Sequence, residues 1–134
     1  MARKSFEIDG YSHGSNPIPA VSRIGNIVMT GGIGGFDLSQ NKLADTLEEQ
    51  CVQMFRLAEK VLGAAQAGFD DVLKVTVYMK PDLDRGPLNE VWLKYFPNES
   101  SRPVRHVIIN PHLAGGMLIQ CEMMAVVEAW FPQV

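Results

Sequence analysis

Two stretches decide most of what this chain can become: VLKVTVYM at 72–79 and MLIQCEMMAVV at 117–127. Both are apolar at nearly every position, so each reads as a strand with two faces to cover. The supply of cover is small. Residues 46–67 predict a helix in which Leu47, Cys51, Met54, Ala58, Val61, Leu62 and Ala65 form one apolar stripe. Asp45 or Thr46 caps its start, Glu48 and Glu49 sit in the first turn where the helix dipole favours acids, and Gly68 is the expected stop. Residues 84–96 predict a second helix with Leu88, Val91, Trp92 and Tyr95 on its buried face and Pro97 just beyond it. Two helices of this length cover one face of one sheet. The other face is expected to be buried by further copies of the chain.

The remaining elements are shorter. Residues 5–8 predict an edge strand, and 10–19, rich in glycine and proline, a loop. AVSRIGNIVMTGG predicts a hairpin turning at Gly25-Asn26, and VRHVII at 104–109 another strand. The order is β-β-β-α-β-α-β-β. That is an α+β chain with one mixed sheet and both helices on one face, expected as a single domain over residues 1–134. With 134 residues, 20% charged and a net charge of −3, the chain shows no basic stripe, so nucleic acid is not an expected partner. Its apolar runs fall short of a membrane span, and its first residues lack the apolar segment of a secretory signal, so no membrane is expected either. Cys51 and Cys121 read as buried thiols of a cytoplasmic protein.

Arg105 is the residue that such a sheet does not need. It opens the apolar run His106-Val107-Ile108-Ile109. A guanidinium stays charged and presents a planar fork of donors, so at a strand mouth it requires a carboxylate. That carboxylate belongs either to the chain, with Glu122 the candidate, or to a ligand. Strand alternation puts Arg105 and Val107 on one face and His106 on the other; on the last strand Gln120, Glu122 and Met124 share a face opposite Ile119, Cys121 and Met123. If the two strands pair, Gln120 or Glu122 lies beside Arg105. His13, His106 and His112 have no metal-ligand spacing and read as loop, packing and turn residues. TGGIGG lacks the Lys-Ser/Thr of a phosphate loop, and its glycines read as turn and close-approach positions. Trp92 and Trp130 are expected to pack in the core and at the C-terminal end.

GNIVMTGGI, DDVLKVTVYMKPDLD, LNEVWLKYFPNESSRPVRHVII and IQCEMMAVV together resemble the Rid family, also called the YjgF or reactive-intermediate deaminase family. The resemblance runs from about Pro19 to Val127 and is most specific at Pro103-Val104-Arg105 and at Gly25–Gly32. It implies a chorismate-mutase-like fold and a homotrimer with sites in the subunit clefts. It also implies hydrolysis of enamines or imines bearing a carboxylate, of the 2-aminoacrylate type, to a 2-keto acid and ammonia. No metal or organic cofactor is implied. The family's carboxylate-binding arginine falls on Arg105 and its substrate-contacting glycine on Gly32, with backbone near Gly32 and Val107 orienting the amine or the water. The chain departs from the family at three places. The last-strand glutamate that handles the water is Gln120, which holds a water but takes no proton. The small residue after the arginine is His106. The early Gly-Pro-Tyr aligns with Ile18-Pro19-Ala20, which removes an aromatic ring. His13 is the candidate to reach the site from this loop, and Glu122, about 6 to 7 Å further along the strand, the candidate replacement acid-base. The alternative is a non-catalytic carboxylate-binding or regulatory homologue that lost its acid at position 120.

Overall fold

The structure, a computed structural model, describes residues 2–128; Trp130 lies outside them. Among the described residues nine strands and two α-helices appear in the order β1 (Lys4–Phe6), β2 (Val21–Ile24), β3 (Ile27–Thr30), β4 (Ile33–Gly34), β5 (Phe36–Asp37), β6 (Lys42–Leu43), α1 (Leu47–Ala64), β7 (Val72–Met79), α2 (Gly86–Tyr95), β8 (Val104–Ile109) and β9 (Ile119–Val126). The α+β class holds. The main sheet runs β1-β2-β3-β9-β7-β8, with β4 also on β9. Its pairs are antiparallel except β7–β8, which are parallel and joined through α2. The hairpin turn falls at Gly25-Asn26, where Gly25 takes φ +55° at the first turn position. The small β5–β6 ladder was not anticipated: two-residue strands leave too short a pattern to read.

Alternation along the strands builds two unlike faces. Val28 opposite Ala125, Val75 opposite Met123, Val77 opposite Cys121 and Met79 opposite Ile119 are buried beneath the helices. The other face runs in rows: Ile27–Val126, then Met29–Met124–Lys74–Val104, then Glu122–Thr76–His106, then Gln120–Tyr78–Ile108. Met29 is 53% exposed, Ile27 47%, Val104 61% and Ile108 45%. Neither described helix covers this face.

The predicted stripe of α1 is buried apart from Leu47, which is half-buried, and Phe55 and Leu57 widen it. Thr46 is the cap; its Oγ1 accepts the Glu49 N–H at 3.2 Å. The stop differs from expectation. The helix closes at Ala65 with Gln66 at φ +64°, the Gln66 N–H donating to Gly63 O and the Ala67 N–H to Leu62 O. That is a Schellman closure with glutamine in the left-handed position usually held by glycine. Gly68 instead starts the short 3-10 turn Phe69–Asp71.

Gln50, on α1, is buried and fully occupied. Its Nε2 donates to Ala44 O at 3.0 Å, and its Oε1 accepts the Leu118 N–H at 2.9 Å. This amide ties the β6–α1 junction to the start of β9. Gly35 lets the chain pass it: a Cβ there would lie 2.4 Å from Gln50 Cα and O, both backbone atoms. Gly35→Ala is therefore expected to destabilise the fold by about 3 kcal/mol, read as a lower urea midpoint at unchanged m-value.

Candidate functional site

Arg105 continues the buried row Met123–Val75 to the edge of the sheet, since Val75 pairs with Arg105 across the parallel ladder. It therefore points to the helix side. There its Nη2 donates to Asn89 Oδ1 at 2.8 Å, and its guanidinium carbon stands 4.9 Å from the centre of the Trp92 ring. Asn89 and Trp92 are three residues apart on α2, so one face of that helix presents an acceptor and an aromatic plane together. Burial, and then the neighbouring Arg85 charge, lower the guanidinium's pKa from its usual value; it stays a cation at any working pH. Among the described residues the only ion pair is Lys42–Asp45, so Arg105 has no carboxylate of its own. Trp92 thus does more than fill the core.

The alternative partner, Glu122, is elsewhere. β8 pairs with β7, not β9, so the condition that would have set Gln120 or Glu122 beside Arg105 is not met. Two strand spacings, about 10 Å, separate β8 from β9. The faces are also opposite: Arg105 and Val107 face the helices, whereas Gln120 and Glu122 lie on the uncovered face. Glu122 Oε1 instead accepts the Tyr78 hydroxyl at 2.5 Å, and this bond is the main reason the Tyr78 phenol's pKa is raised.

A second cluster forms around Gly32, in the link between β3 and β4. Thr30 Oγ1 accepts the Met123 N–H at 2.9 Å and donates to Gly31 O at 2.8 Å, pinning this link to β9. A Cβ on Gly32 would fall 2.6 Å from Gln120 Nε2, so the Gln120 amide stands directly over the glycine backbone. The Gly32 carbonyl accepts two side-chain bonds from the early loop, the Tyr11 hydroxyl at 2.9 Å and His13 Nε2 at 3.1 Å. A carbonyl only accepts, so Nε2 carries the proton; His13 Nδ1 is buried without a partner. Tyr11, nearer the N-terminus, brings an aromatic ring to Gly32, and burial raises its phenol's pKa. Tyr11 was missed because it lies in an irregular loop whose register no periodicity reports.

One chain thus brings Gly32, Gln120, Tyr11 and His13 together and holds Arg105, Val107 and Asn89 apart from them. Val107 packs half-buried against the core, His106 is exposed opposite Thr76, and His112 sits in a turn where its N–H donates to Asn110 Oδ1. Burial pushes the Cys51 thiol up to about 12 and the Cys121 thiol higher still, so neither is a nucleophile. Among the described residues no three metal-ligating side chains cluster, and no helix is long and apolar enough to cross a membrane. A cleft of about 460 Å³ between Phe69, Tyr95 and Arg102 is lined by neither Arg105 nor Gly32.

Known proteins share this frame. A RutC family protein of Pyrococcus abyssi is 29% identical over 113 residues, which cover 84% of this chain and 87% of that protein. The chloroplastic Reactive Intermediate Deaminase A of Arabidopsis thaliana is 24% identical over 106 residues, 78% of this chain and 57% of the plant protein. The crystal structure of RidA from an Antarctic Psychrobacter superposes with a TM-score of 0.83 at 22% identity, covering 92% of this chain and 99% of that one, which speaks for the fold. The family model described as Endoribonuclease L-PSP matches residues 10–127, from the early loop through β9, and the chain belongs to that family, the YjgF or Rid family.

Proposed function

We propose that this chain is a deaminase of small imines and enamines that carry a carboxylate, working as a homotrimer with each site shared between two copies. The observation that carries the reading is Arg105: a cation at the sheet edge, bonded to a neutral amide and to no acid among the described residues. Such a group is pre-set for an incoming carboxylate. The Arabidopsis relative's name supports the same chemistry. Because Arg105 and the Gly32–Gln120 cluster diverge within one chain, a ligand of a few atoms reaches both only where a second copy brings its own Gly32 to the first copy's Arg105.

The reaction asks little of the protein. An enamine first becomes the imine, its β-carbon taking a proton as the nitrogen gives one up; water then adds its oxygen to the electrophilic C=N carbon and the nitrogen gains a proton, giving a carbinolamine. The C–N bond then breaks as the hydroxyl loses its proton, releasing ammonia and the 2-keto acid. Arg105 holds the carboxylate, and the Gln120 amide with the backbone near Gly32 and Val107 orients water and amine. His13 and Tyr11 hold the Gly32 carbonyl in place. Gln120 cannot accept a proton, so transfer runs through solvent, while the Glu122 carboxylate is engaged by the Tyr78 hydroxyl.

The test follows ammonia and keto-acid release from imines generated in place by an amino-acid oxidase, against the uncatalysed rate. Acceleration by the wild-type chain is expected. Gln120→Glu, which restores a base over Gly32, is expected to raise the rate about tenfold. Gln120 also favours a second reading, a carboxylate-binding regulator. Binding of a 2-keto acid without acceleration would select that reading and reject the deaminase.

A further inference from the structure

The surroundings of Arg105 contain a second cation that the reaction does not need. Arg85 is the residue that caps the start of α2, one helical turn before Asn89; its carbonyl accepts the Asn89 N–H at 2.9 Å, and the Asn89 side chain in turn bonds Arg105. Arg85, Asn89 and Trp92 therefore share one helical face at spacings of four and three, and Arg105 lies against it. Like charges gathered on one patch repel unless an anion sits between them. The nearest acid in sequence is engaged otherwise: Asp84 Oδ1 accepts the Gly86 N–H at 3.1 Å, closing the start of α2. Among the described residues no carboxylate is within ion-pair distance of either arginine.

We propose that Arg85 and Arg105 form one dibasic site on the α2–β8 edge, and that its ligand is a dianion. The substrate class would be the 2-imino or 2-enamino acid of an acidic amino acid, with Arg105 on the α-carboxylate and Arg85 on the distal one. The imino or enamino class and the placement of the α-carboxylate rest on the function proposed above; the preference for a dianion does not. Asn89 is the positioning residue: bonded to the Arg105 guanidinium, it sets that fork's direction relative to Arg85. Arg85 is exposed, so its attraction is modest and screened by salt.

Calorimetric titration of 2-oxoglutarate and 2-oxobutyrate into the full chain at low salt tests this. The dicarboxylate is expected to bind about fivefold more tightly, the advantage shrinking as salt is raised. Arg85→Gln is expected to reduce the preference to within twofold, Arg85→Lys to keep most of it, and Arg105→Gln to weaken both acids. Equal binding of the two acids to the wild-type chain overturns the dibasic site while leaving the Arg105 reading standing. So does a preference that survives in Arg85→Gln. Failure of both acids to bind overturns both.

Discussion

Arg105→Ala is expected to lower kcat/KM for imine hydrolysis by two to three orders of magnitude and to leave a folded protein. Removing one partner of a desolvated, hydrogen-bonded charge pair costs about 2 to 5 kcal/mol, and each 1.4 kcal/mol is tenfold. The α-carboxylate is present in substrate and transition state alike, so much of the loss should appear as a raised KM. The fold loses the Asn89 bond and the stacking on Trp92, about 1 kcal/mol each, and among the described residues no buried acid is left unpaired, because none pairs with Arg105. Arg105→Lys keeps the charge but loses the planar fork, and an intermediate rate is expected. Circular dichroism and a urea midpoint fix the folded state, and progress curves for keto acid fix the rate. A folded alanine variant within threefold of the wild-type kcat/KM would remove Arg105 from the mechanism.

What the sequence showed and what it hid separate along a physical line. Period and β-branching carry element type, so α1, α2, β7 and β9 were legible, as was the division of β9 into a Cys121 face and a Gln120 face. Strand partnership was not. Which strand lies beside β8 is set by the crossover through α2 to β7, and that alone turns Arg105 toward the helix layer and away from Glu122. The same limit hid Asn89 and Arg85: on sequence they are polar residues near the start of a helix, and only the parallel β7–α2–β8 unit brings Arg105 against their face. Tyr11 and Gln50 were hidden for another reason. Each acts through a hydrogen bond to backbone distant in sequence, Gly32 and Leu118, which no local pattern encodes. The glycine-rich TGGIGG was read correctly as close-approach chain, but the atoms approached, the Gln120 amide at Gly32 and the Gln50 backbone at Gly35, come from β9 and α1.

The uncovered sheet face carries the second large effect. Met124→Asp is expected to turn an associated protein into a 14.8 kDa monomer at tens of micromolar, and to abolish imine hydrolysis with it. Met124 sits in the middle of the row Met29–Met124–Lys74–Val104, with Ile27, Val126 and Ile108 exposed around it. Each of these half-exposed side chains gains about 1 kcal/mol when covered. A carboxylate placed there has Lys74 across the ladder, yet burying that ion pair in every copy costs several kcal/mol of desolvation per ion, which the pairing only partly offsets. In the isolated chain the position faces solvent, so the variant should keep its helix content and unfold cooperatively. Sedimentation velocity reads the mass. The loss of activity has its own control, because the proposed site draws Arg105 and the Gly32–Gln120 cluster from different copies. Arg105→Ala and Gln120→Ala chains, each weakened alone, are expected to regain part of the wild-type rate when unfolded together and refolded as mixed assemblies, since some clefts then combine an intact Arg105 with an intact Gln120. A monomeric wild-type chain, or a Met124→Asp monomer with full activity, would mean that one copy suffices and that the two clusters do not serve a common ligand.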